Sequence, residues 1–339
     1  MNDYKIDVPV LILFFCRDEQ LSKVFEAVQK ARPSKLYLYQ DGARPGRADD
    51  VDGINKCREI VSDKNIDWKC EVHRNYQERN QGCDPSEYLA QKWMFSTEEM
   101  GIVLEDDDVP SQSFFPFCKE LLERYKNDTR INMICGMNNT GISNHINSSY
   151  LFTAKGSIWG WASWKRVLDT WDGKYTWLDD EEKRDHIKRQ MSKSEYKDFI
   201  KTSERHRESQ REHYESINAA AMFLNNRINI VPKYNLISNV GISEKTTHSV
   251  SDIRVLPKMT QKLLYMKTYE IDFPLTHPQE LKRDYYFEKK MTPNKAQRIF
   301  GRLEHAVRVL RYKGPNEFVF LLKKKLKKAG EAKRIGDNL

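Results

Sequence analysis

The stretch GIVLEDDDVP, Gly101–Pro110, decides the fold. Ile102, Val103 and Leu104 have the character of a strand end buried on both faces, and Pro110 lacks the N–H needed to continue a ladder. Glu105, Asp106, Asp107 and Asp108 therefore fall at the carboxyl end of a strand. Four adjacent carboxylates repel one another, and a fold tolerates them when they are solvated or when a hard cation neutralises them. An acidic run is usually a solvated turn. Position argues for more here, because open α/β sheets bind their ligands at the carboxyl ends of the strands.

Around this stretch the first half of the chain alternates strands and helices. Val8 to Phe15 is β-rich, Leu21, Val24, Phe25 and Val28 recur at helical spacing, and Lys35 to Gln40 predicts a second strand that ends at Asp41-Gly42. Trp68 to His73 alternates as a third strand. In Asp84-Pro85-Ser86-Glu87 the aspartate is placed to cap a helix and the glutamate to complete a capping box. Leu89, Trp93 and Phe95 supply that helix with an apolar face. After the acidic run come a helix with Phe114, Phe117, Cys118, Leu121 and Tyr125 on one side and a strand at Ile131 to Cys135. Repeated β-α units of this kind imply an α/β fold with a mostly parallel sheet and helices on both faces.

The pattern changes after Gly136. An Asn-rich loop leads to YLFTAKGSIWGWASWKR, which holds Trp159, Trp161 and Trp164; residues 179–215 are highly charged and helical in character. Strand-like sequence returns at Ile228 to Pro232 and Leu236 to Val240. The expected organisation is one α/β domain over residues 1–250, with 179–215 as a helical insertion, and a C-terminal extension over 251–339. A basic amphipathic helix is expected over residues 316–334.

Composition narrows the function classes. The net charge is +8, but Gly301 to Leu339 holds eleven Lys plus Arg against four Asp plus Glu. The remaining residues are nearly neutral, so the chain as a whole is not expected to bind nucleic acid. The run Val8 to Cys16 falls well short of the roughly 20 apolar residues that span a bilayer. It has no basic leader and reads as a strand, not a signal peptide. Six cysteines without a C-x-x-C pair fit reduced thiols, and a cytoplasmic location is expected.

The strand ends at Cys16-Arg17-Asp18, at Asp41-Gly42 and at the acidic cluster should open on one sheet edge, together with the turn Asn80–Cys83. An arginine, a carboxylate able to accept from a ribose hydroxyl, and an acidic cluster able to hold a metal are what a nucleoside diphosphate needs. The chain has neither G-x-G-x-x-G nor a P-loop, so neutralising the phosphates would fall to a metal. That combination points to a nucleotide-sugar donor, whose diphosphate leaving group needs Lewis-acid help. Trp159-Gly160-Trp161 places a residue without a side chain between two rings, leaving room for a flat ligand such as a sugar to approach the backbone.

The pieces FFCRDE, ARPSKLYLYQDGARPGR, RNQGC, GIVLEDDDVPSQSFFPFCKELLERY, SIWGWASWKR and VPKYNLISNVG followed by TTH occur in order from Val8 to His248, about 70% of the chain. In this set the chain resembles GT-A glycosyltransferases, most closely the bacterial family 2 type often labelled hemolytic-protein-like. Its EDD triplet is similar to that of the N-acetylglucosaminyltransferase I group. The resemblance implies a GT-A, Rossmann-like sheet and a transfer, with inversion, from a nucleotide diphosphate sugar (UDP the commonest) that depends on Mn²⁺ or Mg²⁺. It implies Asp107 as metal ligand, with Glu105 and Asp106 facing ribose and donor sugar. Asp108 stands where relatives have a non-acidic residue and opens a D-x-D register with Asp106 and Asp108 on the metal. Arg17 and Asp41 would line the nucleotide, His248 would add a ligand, and Trp159, Gly160 and Trp161 would meet acceptor or sugar. The base position falls on Glu215, with Asp179 and Asp180 as competitors.

On a helix, Phe318, Val319, Leu322 and Leu326 share a face surrounded by the lysines of KKKLKK. Such a helix suits an anionic membrane surface, where glycan or lipid-linked acceptors of cell-surface polysaccharide synthesis would be met. Two other classes use similar features: a metal-dependent phosphoryl-transfer enzyme, and a non-catalytic carbohydrate or nucleic-acid binding protein. Neither accounts for the ordered set of matches.

Overall fold

The computed structural model describes residues 3–242, 252–320 and 323. Two compact units result, one of Met1–Gly241 with Tyr265–Met291, the other of Ile242–Leu264 with Thr292–Leu339. The first unit runs β1 (Val10–Phe14), α1 (Asp18–Ala31), β2 (Lys35–Gln40), α2 (Ala48–Ile60), β3 (Glu71–Tyr76), α3 (Cys83–Thr97) and β4 (Met100–Glu105). It continues with β5 (Asp108–Pro110), α4 (Phe114–Arg124), β6 (Ile131–Cys135), β7 (Tyr150–Thr153), β8 (Trp161–Trp164) and α5 (Lys165–Leu168). Then come α6 (Glu181–Lys188), α7 (Lys193–Glu208), α8 (Tyr214–Leu224), β9 (Ile228–Pro232) and β10 (Ile237–Asn239). The second unit holds α9 (Lys258–Gln261) and α11 (Lys295–Lys313), while α10 (Tyr285–Met291) belongs to the first.

Eight strands form one mixed sheet in the order β3-β2-β1-β4-β8-β6-β9-β7. β3, β2, β1 and β4 are all parallel, as are β6 and β9. β8 lies antiparallel between β4 and β6, and β7 closes the far edge antiparallel to β9. The central strand β1 is buried at all five positions, as expected when both faces of a parallel sheet are covered. β8 shows what covers them. Its side chains alternate across the sheet: Trp161 stacks on Phe95 of α3 and Tyr214 of α8, while Trp164 Nε1 donates to the Leu122 carbonyl of α4 at 3.1 Å.

Several expectations shift in detail. The third strand starts at Glu71, three residues later than Trp68, because Trp68 is wholly buried with its Nε1 donating to the Pro33 carbonyl at 2.8 Å. α3 begins at Cys83 after Gly82, without a side-chain cap, so Asp84 is not its cap. Leu89 is 42% exposed and does not belong to the buried face of α3. β4 ends at Glu105, five residues before Pro110, and Pro110 sits in the short strand β5, paired antiparallel with Ile237 of β10. Among the described residues no helix is long and apolar enough to cross a membrane.

Two helical leucines test this packing. Leu121 on α4 is fully buried, so Leu121→Ala should cost about 2–5 kcal/mol in urea unfolding. Leu89→Ala should stay within about 0.5 kcal/mol of wild type. Equal losses at the two positions would contradict the placement of α3.

Candidate functional site

Chain reversal at the carboxyl ends of β1 and β4 brings Arg17 onto the acidic run. Arg17 Nη2 and Nε both bond the Asp106 carboxylate, the latter at 3.3 Å, and Nη1 pairs with Asp107 Oδ2 at 2.8 Å. Nη1 also reaches the Gly241 carbonyl at 3.4 Å, and the Phe15 N–H donates to Asp106 Oδ2 at 3.3 Å. Burial works against the guanidinium charge, but Asp106 and Asp107 outweigh it and hold Arg17 firmly protonated. Asp106 and Asp107 are both buried.

Asp107 also accepts from Asn239 Nδ2 at 3.0 Å, and its carbonyl accepts from Val240 N–H at 2.8 Å. A Cβ on Gly241 would collide with the Asp107 carboxylate, so a larger residue there would have to displace that carboxylate from Arg17. Asp108 is completely buried. Its carboxylate accepts from the Gly160 N–H at 2.8 Å and from Asn239 Nδ2 at 3.2 Å, which ties the end of the acidic run to β8 and β10. Glu105 accepts from the buried Tyr214 hydroxyl at 3.3 Å.

Desolvation pushes the carboxyl groups of Glu105, Asp107 and Asp108 up, and repulsion adds to it, from Glu87 first at Glu105, from Asp106 at Asp107 and from Asp107 at Asp108; Arg17 opposes the rise at Asp107 and Glu105. Glu87, in the first turns of α3, is pushed up to about 8 by burial and then by the charge of Glu215, with Asp84 and Asp107 contributing. Cys83 Sγ lies 3.2 Å from Glu87 Oε1. Glu87 is thus the electrostatic link between the acidic run and a second cluster on α8.

In that cluster His213 Nδ1 meets Asp84 Oδ1 at 2.9 Å, and the donor atoms of Asp84, His213 and Glu215 all lie within 4.8 Å of one another. The His213 ring stacks on His206 with centroids 3.8 Å apart, and its Nε2 is 3.0 Å from Ser209 Oγ. Burial, then the neighbouring His213 and Arg205, lowers the His206 imidazole to about 4. Such a group can hold Glu215 in place or share a cation with it. Asp84, Glu87, Glu105, Asp106, Asp107, Asp108 and Glu215 gather along this wall, where Arg17 pairs with Asp106 and Asp107 and His213 with Asp84.

The other expected site residues are placed as follows. Asp41 is buried and accepts from the N–H groups of Gly42, Gln81 and Gly82 at 2.9, 2.8 and 3.1 Å and from Asn80 Nδ2 at 2.8 Å. It builds the turn that delivers Cys83 and α3. Trp161 is buried between Phe95 and Tyr214, and Trp159 is half-buried. Gly160 adopts a left-handed φ of 60°, and the space beside it is not open: a Cβ there would lie 2.5 Å from Ile237 Cδ1. Asp179 pairs with Arg207 at 2.8 Å and Asp180 caps α6 through Lys183 N–H, so both are engaged elsewhere. His248 lies outside the described residues. Sequence reasoning missed Asn239, His213 and Tyr214, and took Asp84 and Glu87 only for a capping motif.

No protein-family model and no curated protein sequence matches this chain. Among solved structures, UDP-glucose pyrophosphorylase complexed with UDP-glucose is 8% identical and covers 68% of this chain and 92% of its own, at a TM-score of 0.35. The inositol-1-phosphate CTP transferase from T. maritima is 11% identical over 48% of this chain and 73% of its own, at 0.29. A putative glucose-1-phosphate thymidylyltransferase from Bacillus anthracis in complex with a sucrose is 10% identical over 51% and 75%, at 0.27. Likeness at this level assigns neither activity nor ligand.

The raised carboxyl groups give a pH dependence with a definite sign. Folded Glu87 keeps a proton that the unfolded chain releases, so its stabilisation is present below the ordinary value of 4.5 and is lost as pH rises toward about 8. Glu105, Asp107 and Asp108 act in the same direction. The melting temperature of the metal-free protein should therefore fall between about pH 5 and about pH 8, with a shallower slope in Glu87→Gln. A melting temperature that rises over this interval would contradict the buried acidic wall.

Proposed function

We propose that this protein is a metal-dependent glycosyltransferase that moves a sugar from a nucleotide diphosphate donor, a UDP-sugar, to a glycan or lipid-linked acceptor. The observation that carries the reading is the buried acidic wall at the carboxyl end of β4, where Asp106, Asp107 and Asp108 crowd together and Arg17 clasps the first two. A hard divalent cation fits a donor set of carboxylate oxygens in which burial already disfavours the bare anions. Asp107 would hold Mn²⁺ or Mg²⁺, with His248 as a further proposed ligand, while Glu105 and Asp106 would face the ribose and the donor sugar. Bound there, such an ion supplies charge that stabilises a departing diphosphate.

The chain's own groups then divide the work. The metal role is proposed for Asp107 or, in a D-x-D register, for Asp106 with Asp108; Arg17 and Asn239 hold Asp107, and Gly160 and Asn239 hold Asp108, so either set is fixed in place. Arg17 holds Asp106 and Asp107 in register and offers positive charge beside the diphosphate. Asp41 shapes the nucleotide side through its turn. Glu215 is the proposed base. As the acceptor oxygen bonds the anomeric carbon and the bond to the diphosphate oxygen breaks, the hydroxyl proton passes to the Glu215 carboxylate, giving inversion. His213, paired with Asp84, lies within reach of Glu215 to take part in its positioning, and half-buried Trp159 is the ring left to meet a sugar face.

A panel of UDP, GDP, CDP and ADP, each with and without Mn²⁺, tests the reading by thermal shift. A nucleotide at 100 times its dissociation constant should stabilise the wild type by about 2.7 kcal/mol, only with metal. Asp107→Ala should lose this effect while Glu215→Gln keeps it and loses transfer. Stabilisation by no nucleotide, or equal stabilisation without metal, would remove the main support.

A further inference from the structure

The second unit carries a feature that the acidic wall does not use. α11, Lys295–Lys313, is a well-formed helix whose capping box joins Asn294 and Gln297. One side packs inward: Val309 is buried, His305 Nδ1 meets the Val255 carbonyl at 2.9 Å, and Arg308 Nη1 donates to the Arg254 carbonyl at 3.0 Å. At about 100° per residue, Ile299, Phe300, Leu303, Val307 and Leu310 fall within an arc of about 100°, away from that packed side. All five are exposed, Phe300 at 67%, Leu303 at 61% and Val307 at 63%. A stripe this apolar is normally buried in the fold or covered by something.

The flanks indicate what covers it. Lys295, Arg302 and Lys313 border the stripe on one side and Arg311 on the other, while Glu304 is the helix's one carboxylate and is paired with Arg308 at 2.8 Å. An apolar face bordered by basic residues matches the boundary between acyl chains and anionic headgroups. It does not match a protein surface chosen for hydrophobicity alone. We propose that α11 lies in the plane of an anionic bilayer, with Ile299, Phe300, Leu303, Val307 and Leu310 inserted below the headgroups and Lys295, Arg302, Arg311 and Lys313 among the phosphates. This places membrane contact on a helix ahead of residues 316–334, most of which lie outside the described residues. It deepens the transferase reading only in saying where a lipid-linked acceptor would be met; the binding itself does not depend on that reading.

The test is cosedimentation of the full-length protein, without nucleotide or metal, with vesicles of phosphatidylglycerol and phosphatidylcholine or of phosphatidylcholine alone. Wild type should bind the anionic vesicles, and the double variant Phe300→Glu/Leu303→Glu should bind at least about tenfold more weakly with unchanged helicity and melting temperature. Lys295→Glu/Arg302→Glu, which leaves the stripe intact, should weaken binding to anionic vesicles by a comparable factor. Wild-type binding that is absent, that is equal on phosphatidylcholine alone, or that survives both double variants overturns the proposal. Because nucleotide is absent, failure here leaves the transferase reading untouched, and failure of the nucleotide panel leaves vesicle binding to stand or fall by itself.

Discussion

The structure turns on the clasp between Arg17 and the carboxylates of Asp106 and Asp107. One guanidinium joins the carboxyl ends of the neighbouring parallel strands β1 and β4 and reaches the chain again at Gly241. Removing either side would leave buried charge without a partner, the most damaging class of change in a folded core. The clasp also cannot neutralise the wall by itself. Asp108 is buried and Glu105 and Glu87 are half-buried, and desolvation and neighbouring carboxylates raise all three, with protonation or an added cation as the physical remedies. The same feature that orders the strand ends is therefore also where the proposed cation would bind.

Much of the parallel half was legible in the sequence because its strands are continuous apolar runs bounded by turn residues. Lys35–Gln40, Ile131–Cys135 and Ile228–Pro232 form strands at the boundaries their composition predicts. The antiparallel part was not legible. Trp161–Trp164 is short and aromatic and gives no clear period, yet β8 sits between β4 and β6 and converts a βα alternation into a mixed sheet. Three tryptophans near one glycine looked like a ligand platform. Trp161 and Trp164 are core, and Ile237 fills the space that Gly160 leaves.

The acidic run could be located from sequence, but the division of labour within it could not. Four carboxylates in a row look alike until Asn239, from a strand more than a hundred residues away, singles out Asp107 and Asp108. Asp84 and Glu87 matched a capping motif so well that their other partners were invisible: His213 and Glu215 come from α8, and only the tertiary fold brings them together. The apolar stripe of α11 escaped notice because it is interleaved with arginines, and its exposure depends on which side packs against residues 253–255.

If the wall is a cation site, loading it must displace protons from carboxyl groups that burial has raised. Calorimetric titration of Mn²⁺ at about pH 7, in two buffers of different ionisation enthalpy, measures binding and proton release together. Saturable binding with net proton release in the wild type, both lost in Asp107→Asn, is the predicted result. Absence of saturable binding, or binding that Asp107→Asn leaves unchanged, would contradict it.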